Sequence, residues 1–186
     1  MNFDDYLTRI PDLHKWEGQE NWCSGGFGPF HLRAIHDLAL VRGEGAVILE
    51  TGAGNSTLTF LLASPAKLIS IAPDAPLFER IREFCDREGI NDAPLEAHAD
   101  ISELVLPELA RGATKLDLAL IDGGHGWPTV FVDFCYINAM LRRDGVIILD
   151  DVHLHSVKDL ARLLIRDPKR FTLERDIGKS LSLIHI

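Results

Sequence analysis

The sequence predicts a doubly wound α/β fold, and three observations predict it. Short apolar runs recur along the chain, as parallel strands buried on both faces require. Amphipathic helical patterns lie between them, so strand and helix alternate. Each apolar run ends in or just before a carboxylate, which would set a row of acids along the edge where such sheets bind ligands. At 186 residues the chain suits one domain with a sizeable core.

Residues 1–44 read as an N-terminal cap and helix, and residues 45–186 as the core. The cap contains ENWCSGGFGPF, a loop-like stretch rich in glycine and aromatics. Trp22, Phe27, Phe30 and His31 sit there, with Phe30 expected in the core. Strands are expected at Ala46–Glu50, Lys67–Ala72, Leu95–Ala99, Leu116–Asp122 and Val146–Asp150. Leu77–Glu88 is a helix with Leu77, Ile81, Phe84 and Cys85 on one face, ended by Gly89. Thr129–Arg142 aligns Val130, Phe131, Phe134, Ile137 and Leu141, with Asp144-Gly145 as the turn into the fifth strand. Trp127 would close over the ligand or wall its pocket, or pack under the sheet edge, as an aromatic opening a helix more often does. Ser156–Arg166 is a further helix, stopped by Asp167-Pro168. Two last strands, Phe171–Arg175 and Ser180–Ile186, flank DIGK as a hairpin, so one antiparallel strand is expected beside the parallel ones.

The turn after the first strand reads ETGAGNSTLTF from Glu50 onward. Gly52 and Gly54 supply the tight turn and close backbone approach of a nucleotide-binding loop, and Asn55, Ser56 and Thr57 can start a helix. Thr57 stands where a dinucleotide fingerprint has its third glycine, and Glu50 would oppose a pyrophosphate. A cationic ligand without phosphate fits better. The fifth strand runs into Asp150-Asp151, with His153 and His155 after it. Adjacent carboxylates repel, and burial raises the cost of charging them. Either a cation holds the pair, or Asp151 caps the next helix and Asp150 is one more strand-end acid.

VILETGAGNST, LISIAPDAPLFERIREF, AHADISEL, LDLALIDGGHGW and LRRDGVIILDD occur in this order. Together they resemble the class I S-adenosylmethionine-dependent methyltransferases. More narrowly, the chain is similar to the small bacterial branch with an acid before GxG, Asp-Gly-x-His after the fourth strand and a double aspartate after the fifth. The resemblance covers the chain from about residue 45 to its C-terminus. It implies a Rossmann-like sheet of seven strands, the last antiparallel, and S-adenosylmethionine as cofactor. Gly52 and Gly54 would approach the methionine part, Glu50 would favour its ammonium group through the loop or a water, and Asn55, Ser56 and Asp122 would also contact the cofactor. The acid that normally holds the ribose is replaced by Ala72. Asp74 would substitute from two residues further on, roughly 6–7 Å along an extended chain. Asp100 matches the residue near the adenine amino group, with Ile101 against the ring.

Asp122, Asp150 and Asp151 look like the carboxylates that hold Mg²⁺ in the metal-dependent O-methyltransferases. Hard oxygen ligands suit that ion, and a metal-bound hydroxyl loses its proton more readily. His125 is the expected general base, since its ordinary pKa lies near neutrality, and His153 a second base or a substrate contact. The implied reaction is methylation of a small-molecule hydroxyl.

A formal net charge of −9 argues against a nucleic-acid backbone or an anionic membrane as main partner, so a small-molecule acceptor is expected. No signal-peptide pattern opens the chain, and no apolar run would span a bilayer. Cys23, Cys85 and Cys135 are far apart without a CxxC. These features point to a cytoplasmic protein with reduced thiols, Cys85 and Cys135 being small buried hydrophobes. The short cap leaves room for a second subunit to complete the pocket in a homo-oligomer. Two competing readings remain: a non-catalytic S-adenosylmethionine-binding module, for which Ala72 speaks, and a nicotinamide-dependent oxidoreductase, against which Glu50, Thr57 and the double aspartate speak.

Overall fold

The computed structural model describes residues 1–14, 26–177 and 181–185. Trp22, Cys23, residues 178–180 and Ile186 lie outside the described residues. β1 (Val47–Thr51), β2 (Lys67–Ile71), β3 (Leu95–His98), β4 (Leu116–Ile121) and β5 (Leu141–Leu149) pair in parallel in the order β3-β2-β1-β4-β5. Beyond β5 the sheet continues through β7 (Leu181–His185) to β6 (Thr172–Ile177), both paired antiparallel. The chain therefore reverses direction across the sheet between β1 and β4, the switch point where a doubly wound fold opens a ligand crevice.

Helices cover both faces. α1 (Phe3–Thr8), α2 (Pro29–Arg42), α3 (Asn55–Leu62) and α4 (Ala75–Glu88) pack on one side. α5 (Ser102–Ala110), α6 (Thr129–Met140) and α7 (His155–Ile165) pack on the other. Strand residues alternate between the two layers. Ile48, Leu68, Leu118 and Ile148 face the first layer, and Leu49, Ile69, Ala119 and Ile147 face the second. Period-two alternation with apolar contacts on both sides is why these strands read as continuous apolar runs.

Several expectations differ from the structure. The fifth strand begins at Leu141 rather than Val146, and α6 ends at Met140. Leu116 pairs with Leu141 but Leu118 pairs with Val146, so the extra residues form an irregularity inside β5, with Asp144 at φ 66°. Asp144-Gly145 thus bends a strand instead of ending a helix, and Arg142 anchors the bend to Asp117 on β4 at 2.8 Å. Phe30 is 63% exposed and Trp127 74% exposed. α2 buries Leu32, Ile35, His36 and Ala39, a spacing that leaves Phe30 off the packed stripe. Trp127 meets Phe131 edge-on rather than the sheet. Cys85 is buried as expected, but Cys135 is exposed, because α6 turns Val130, Asp133, Ile137 and Met140 inward. Among the described residues, no helix is long and apolar enough to cross a membrane.

Candidate functional site

A cavity of about 950 Å³ opens at the switch point. Its walls come from the ends of the five parallel strands and the cap. Gly52, Asn55 and Ser56 follow β1, Ala72 and Asp74 follow β2, and Asp122 and His125 follow β4. Asp151 follows β5, Ile101 and Glu103 open α5, and His14 and Phe27 belong to the cap. Parallel strands with helices on both faces bring these separate stretches to one edge. Of the expected residues, Gly52, Asn55, Ser56, Asp74, Ile101, Asp122, His125 and Asp151 line the cavity. Glu50, Gly54, Asp100, Asp150 and His153 stand behind or outside its wall.

The β1 loop is organised from beneath by Glu50. Its side chain is fully buried and accepts hydrogen bonds from Ser56 Oγ (2.6 Å), Thr57 Oγ1 and Ser70 Oγ (2.7 Å). Burial pushes its pKa up to about 7, although the three hydroxyls pull it down. The carboxylate faces the root of α3 and accepts from three donors there.

Gly52 has φ 94°, and a Cβ there would stand 2.6 Å from the Asp122 carbonyl oxygen. Both the dihedral and the clash exclude a side chain, which lets the β1 and β4 loops approach each other. Gly52→Ala is expected to cost about 2–4 kcal/mol. Urea unfolding would check it, and a loss below about 0.5 kcal/mol, the range of ordinary surface changes, would contradict this account.

On the β4–β5 side, Asp122, His125 and Asp150 each present a ligand atom, all within 4.8 Å of one another. His125 is held between two acids, with Nε2 3.6 Å from Asp122 and Nδ1 3.6 Å from Asp151. Asp150 is buried, and its Oδ1 and His125 Nε2 have no hydrogen-bond partner among the described residues. Burial comes first in pushing both Asp122 and Asp150 above the ordinary carboxylate range, and their mutual proximity adds to the rise for Asp150. The expected triad of aspartates is thus modified. His125 joins Asp122 and Asp150, while Asp151, at φ 51°, turns its carboxylate toward His125 and His153. Nor does Asp151 cap the next helix: α7 starts at His155, and its N-cap residue is Leu154. His153 is exposed and outside the cavity.

Asp74 lines the cavity but is the N-cap of α4. It accepts from Leu77 N (3.1 Å) and pairs with Arg80 (3.3 Å). Asp100 is exposed and accepts from the Ile101 N–H. The acid that does reach this wall is Glu103, held by the Thr129 hydroxyl. Sequence reasoning passed over Glu103, although the first turn of a helix after a strand end is placed to face the ligand edge. Asp133, fully buried on α6, was also missed. Burial pushes its pKa up to about 6, with Ser102 and Thr51 pulling the other way.

Comparison with known proteins adds to this geometry. A family model described as a methyltransferase domain matches residues 49–152. No protein with a curated description matches in sequence. Among solved structures, an O-methyltransferase from Streptomyces achromogenes involved in tomaymycin synthesis, in complex with SAM, is 19% identical, with a TM-score of 0.71 over 87% of this chain and 81% of that one. An O-methyltransferase from Bacillus cereus in complex with SAH is 16% identical, with a TM-score of 0.69 over 87% and 82%. A precorrin 8W decarboxylase from Methanobacterium thermoautotrophicum is 19% identical, with a TM-score of 0.65 over 87% and 91%. At these identities the likeness establishes the fold, which hosts more than one chemistry.

Proposed function

The chain belongs to the methyltransferase-domain family, and from that premise we propose that it transfers the methyl group of S-adenosylmethionine to a hydroxyl oxygen of a small molecule, assisted by a divalent cation. The observation that carries this reading is one cavity shared by the glycine loop and the Asp122–His125–Asp151 wall. Asp74, Glu103, Asp122 and Asp151 make that cavity acidic, which suits a sulfonium cofactor and opposes a pyrophosphate. The SAM and SAH held by the Streptomyces achromogenes and Bacillus cereus enzymes support the same choice.

In this reading Gly52, Asn55 and Ser56 receive the methionine end, and Ile101 packs on the adenine. Asp122 stands beside the reacting centre. The acceptor oxygen gives its proton to the His125 imidazole and attacks the methyl carbon in line. The carbon–sulfur bond breaks and its electron pair stays on sulfur, leaving the neutral thioether. Asp151, facing Nδ1 of the ring, stabilises the imidazolium that forms. Asp122 and Asp150 fit a divalent cation: two carboxylates forced together, one oxygen without a partner, and pKa values raised by burial. Mg²⁺ prefers such oxygens, which leaves the imidazole for the proton. When bound, the cation would lower the pKa of an acceptor hydroxyl.

His125→Ala is expected to lower kcat by about 10²–10⁴-fold while cofactor affinity holds. Transfer from labelled S-adenosylmethionine to phenol, catechol and sugar acceptors, with and without Mg²⁺, is the direct assay. Unchanged kcat in His125→Ala would remove it as base. A second reading, a binding module without catalysis, rests on Ala72 at the ribose position. S-adenosylhomocysteine binding with no product from any acceptor would favour it.

A further inference from the structure

We propose that His14, brought in by the N-terminal cap, donates the hydrogen bond that holds the methionyl carboxylate of the cofactor. The proposal rests on the methyltransferase reading above and assigns one end of that cofactor to a residue outside the glycine motif. The cap is docked on the β1 loop and α4 by specific bonds. The Tyr6 hydroxyl donates to Asn55 Oδ1 (2.9 Å), Asn55 Nδ2 donates to the Pro11 carbonyl (3.2 Å), and Arg80 Nε donates to the Leu13 carbonyl (2.7 Å). These contacts carry His14 into the cavity wall. Its Nε2 stands 2.7 Å from where a Cβ on Gly54 would be. The second glycine of the motif thus makes room for an imidazole as well as for backbone geometry.

Four of the loop's donors are turned inward. The N–H of Gly52 donates to the Ile71 carbonyl (2.8 Å) and that of Gly54 to Thr57 Oγ1 (2.9 Å). The hydroxyls of Ser56 and Thr57 both donate to Glu50. The cavity wall is rich in carboxylates, which repel a carboxylate ligand. His14 is half-buried, and neither of its ring nitrogens makes a hydrogen bond among the described residues. The groups facing it are Arg80, Asp74 and Asp12; burial first and then Arg80 lower its pKa, against the two acids. A neutral ring with its proton on Nε2 is a donor aimed at the loop.

The test measures binding of S-adenosylhomocysteine and of 5′-methylthioadenosine, which lacks the amino-acid end, by calorimetry on wild type, His14→Ala and His14→Glu. His14→Ala is expected to weaken S-adenosylhomocysteine about tenfold and to leave methylthioadenosine within about twofold. His14→Glu is expected to bind S-adenosylhomocysteine more weakly than His14→Ala, because it sets like charges together. Equal loss for both ligands would make His14 a packing residue, and no loss for either would remove it. Tighter binding by His14→Glu than by His14→Ala would assign the contact to the ammonium group; each of these outcomes overturns the proposal. Wild-type protein that binds no S-adenosylhomocysteine overturns the methyltransferase reading itself, and the proposal with it, before any variant is compared.

Discussion

Glu50→Ala is expected to cost the fold about 3–5 kcal/mol, a large share of what a domain this size has. The substitution leaves Ser56, Thr57 and Ser70 with buried hydroxyls that have lost their common acceptor, and each unsatisfied group carries its own desolvation cost. The damage is local as well. Two of those hydroxyls belong to the first turn of α3, so the loop that lines the cavity relaxes and S-adenosylhomocysteine binding is lost. Glu50→Gln keeps the shape and one acceptor oxygen, and should cost only about 1–2 kcal/mol. Its deficit also depends on pH. The folded pKa is about 7, above an unfolded value near 4.5, so the wild-type contribution is complete below pH 4.5 and declines as pH rises through 7. The gap between Gln and wild type therefore narrows across that window. Urea midpoints at pH 5 and 8 measure both effects, and an alanine variant within about 1 kcal/mol of wild type, a typical single-site change, would sink this view of Glu50.

Glu50 also shows how far local pattern reaches. It was legible as a strand-end acid, and period-two alternation held the rest of the answer. Glu50 lies two residues after Ile48, whose side chain packs in the layer that contains α3. It therefore points at the root of α3 rather than out over the sheet edge. The five parallel strands were readable because burial on both faces leaves an apolar run. The strand-end acids were readable because the topology aligns them. The start of β5 was not, since an Asp-Gly pair marks a turn and a strand irregularity equally well. His14 was not readable either. It meets Gly54 across forty residues of chain, through bonds from Tyr6, Asn55 and Arg80 that no local period announces. Exchanging Asp151 for His125 beside Asp122 and Asp150 depends on one backbone conformation, φ 51° at Asp151. Aspartate tolerates that region without requiring it.

Asp150→Asn is expected to stabilise the metal-free protein at pH 8 and to change it little at pH 4. Desolvation and the Asp122 charge push the Asp150 carboxyl up to about 8, against an ordinary value of 3.8. A group whose proton is held more tightly in the folded chain contributes stability that is complete below the unfolded pKa. That contribution is lost as pH rises through the folded one. Wild type should therefore weaken between about pH 4 and pH 8, and the neutral amide escapes the loss, gaining about 1–3 kcal/mol at the upper end. Mg²⁺ reverses the order. A cation that needs both carboxylates ionised stabilises wild type by about 2.7 kcal/mol at a hundredfold excess over its Kd, and gives the Asn variant little. Melting temperatures of the two proteins from pH 4 to 8, with and without Mg²⁺, separate the possibilities. A wild-type curve that Mg²⁺ leaves unmoved at pH 8 would mean that Asp122 and Asp150 share a proton rather than a metal. The cluster would then be an acid pair whose upper proton titrates beside His125, and methyl transfer would depend on that imidazole alone to receive the acceptor's proton.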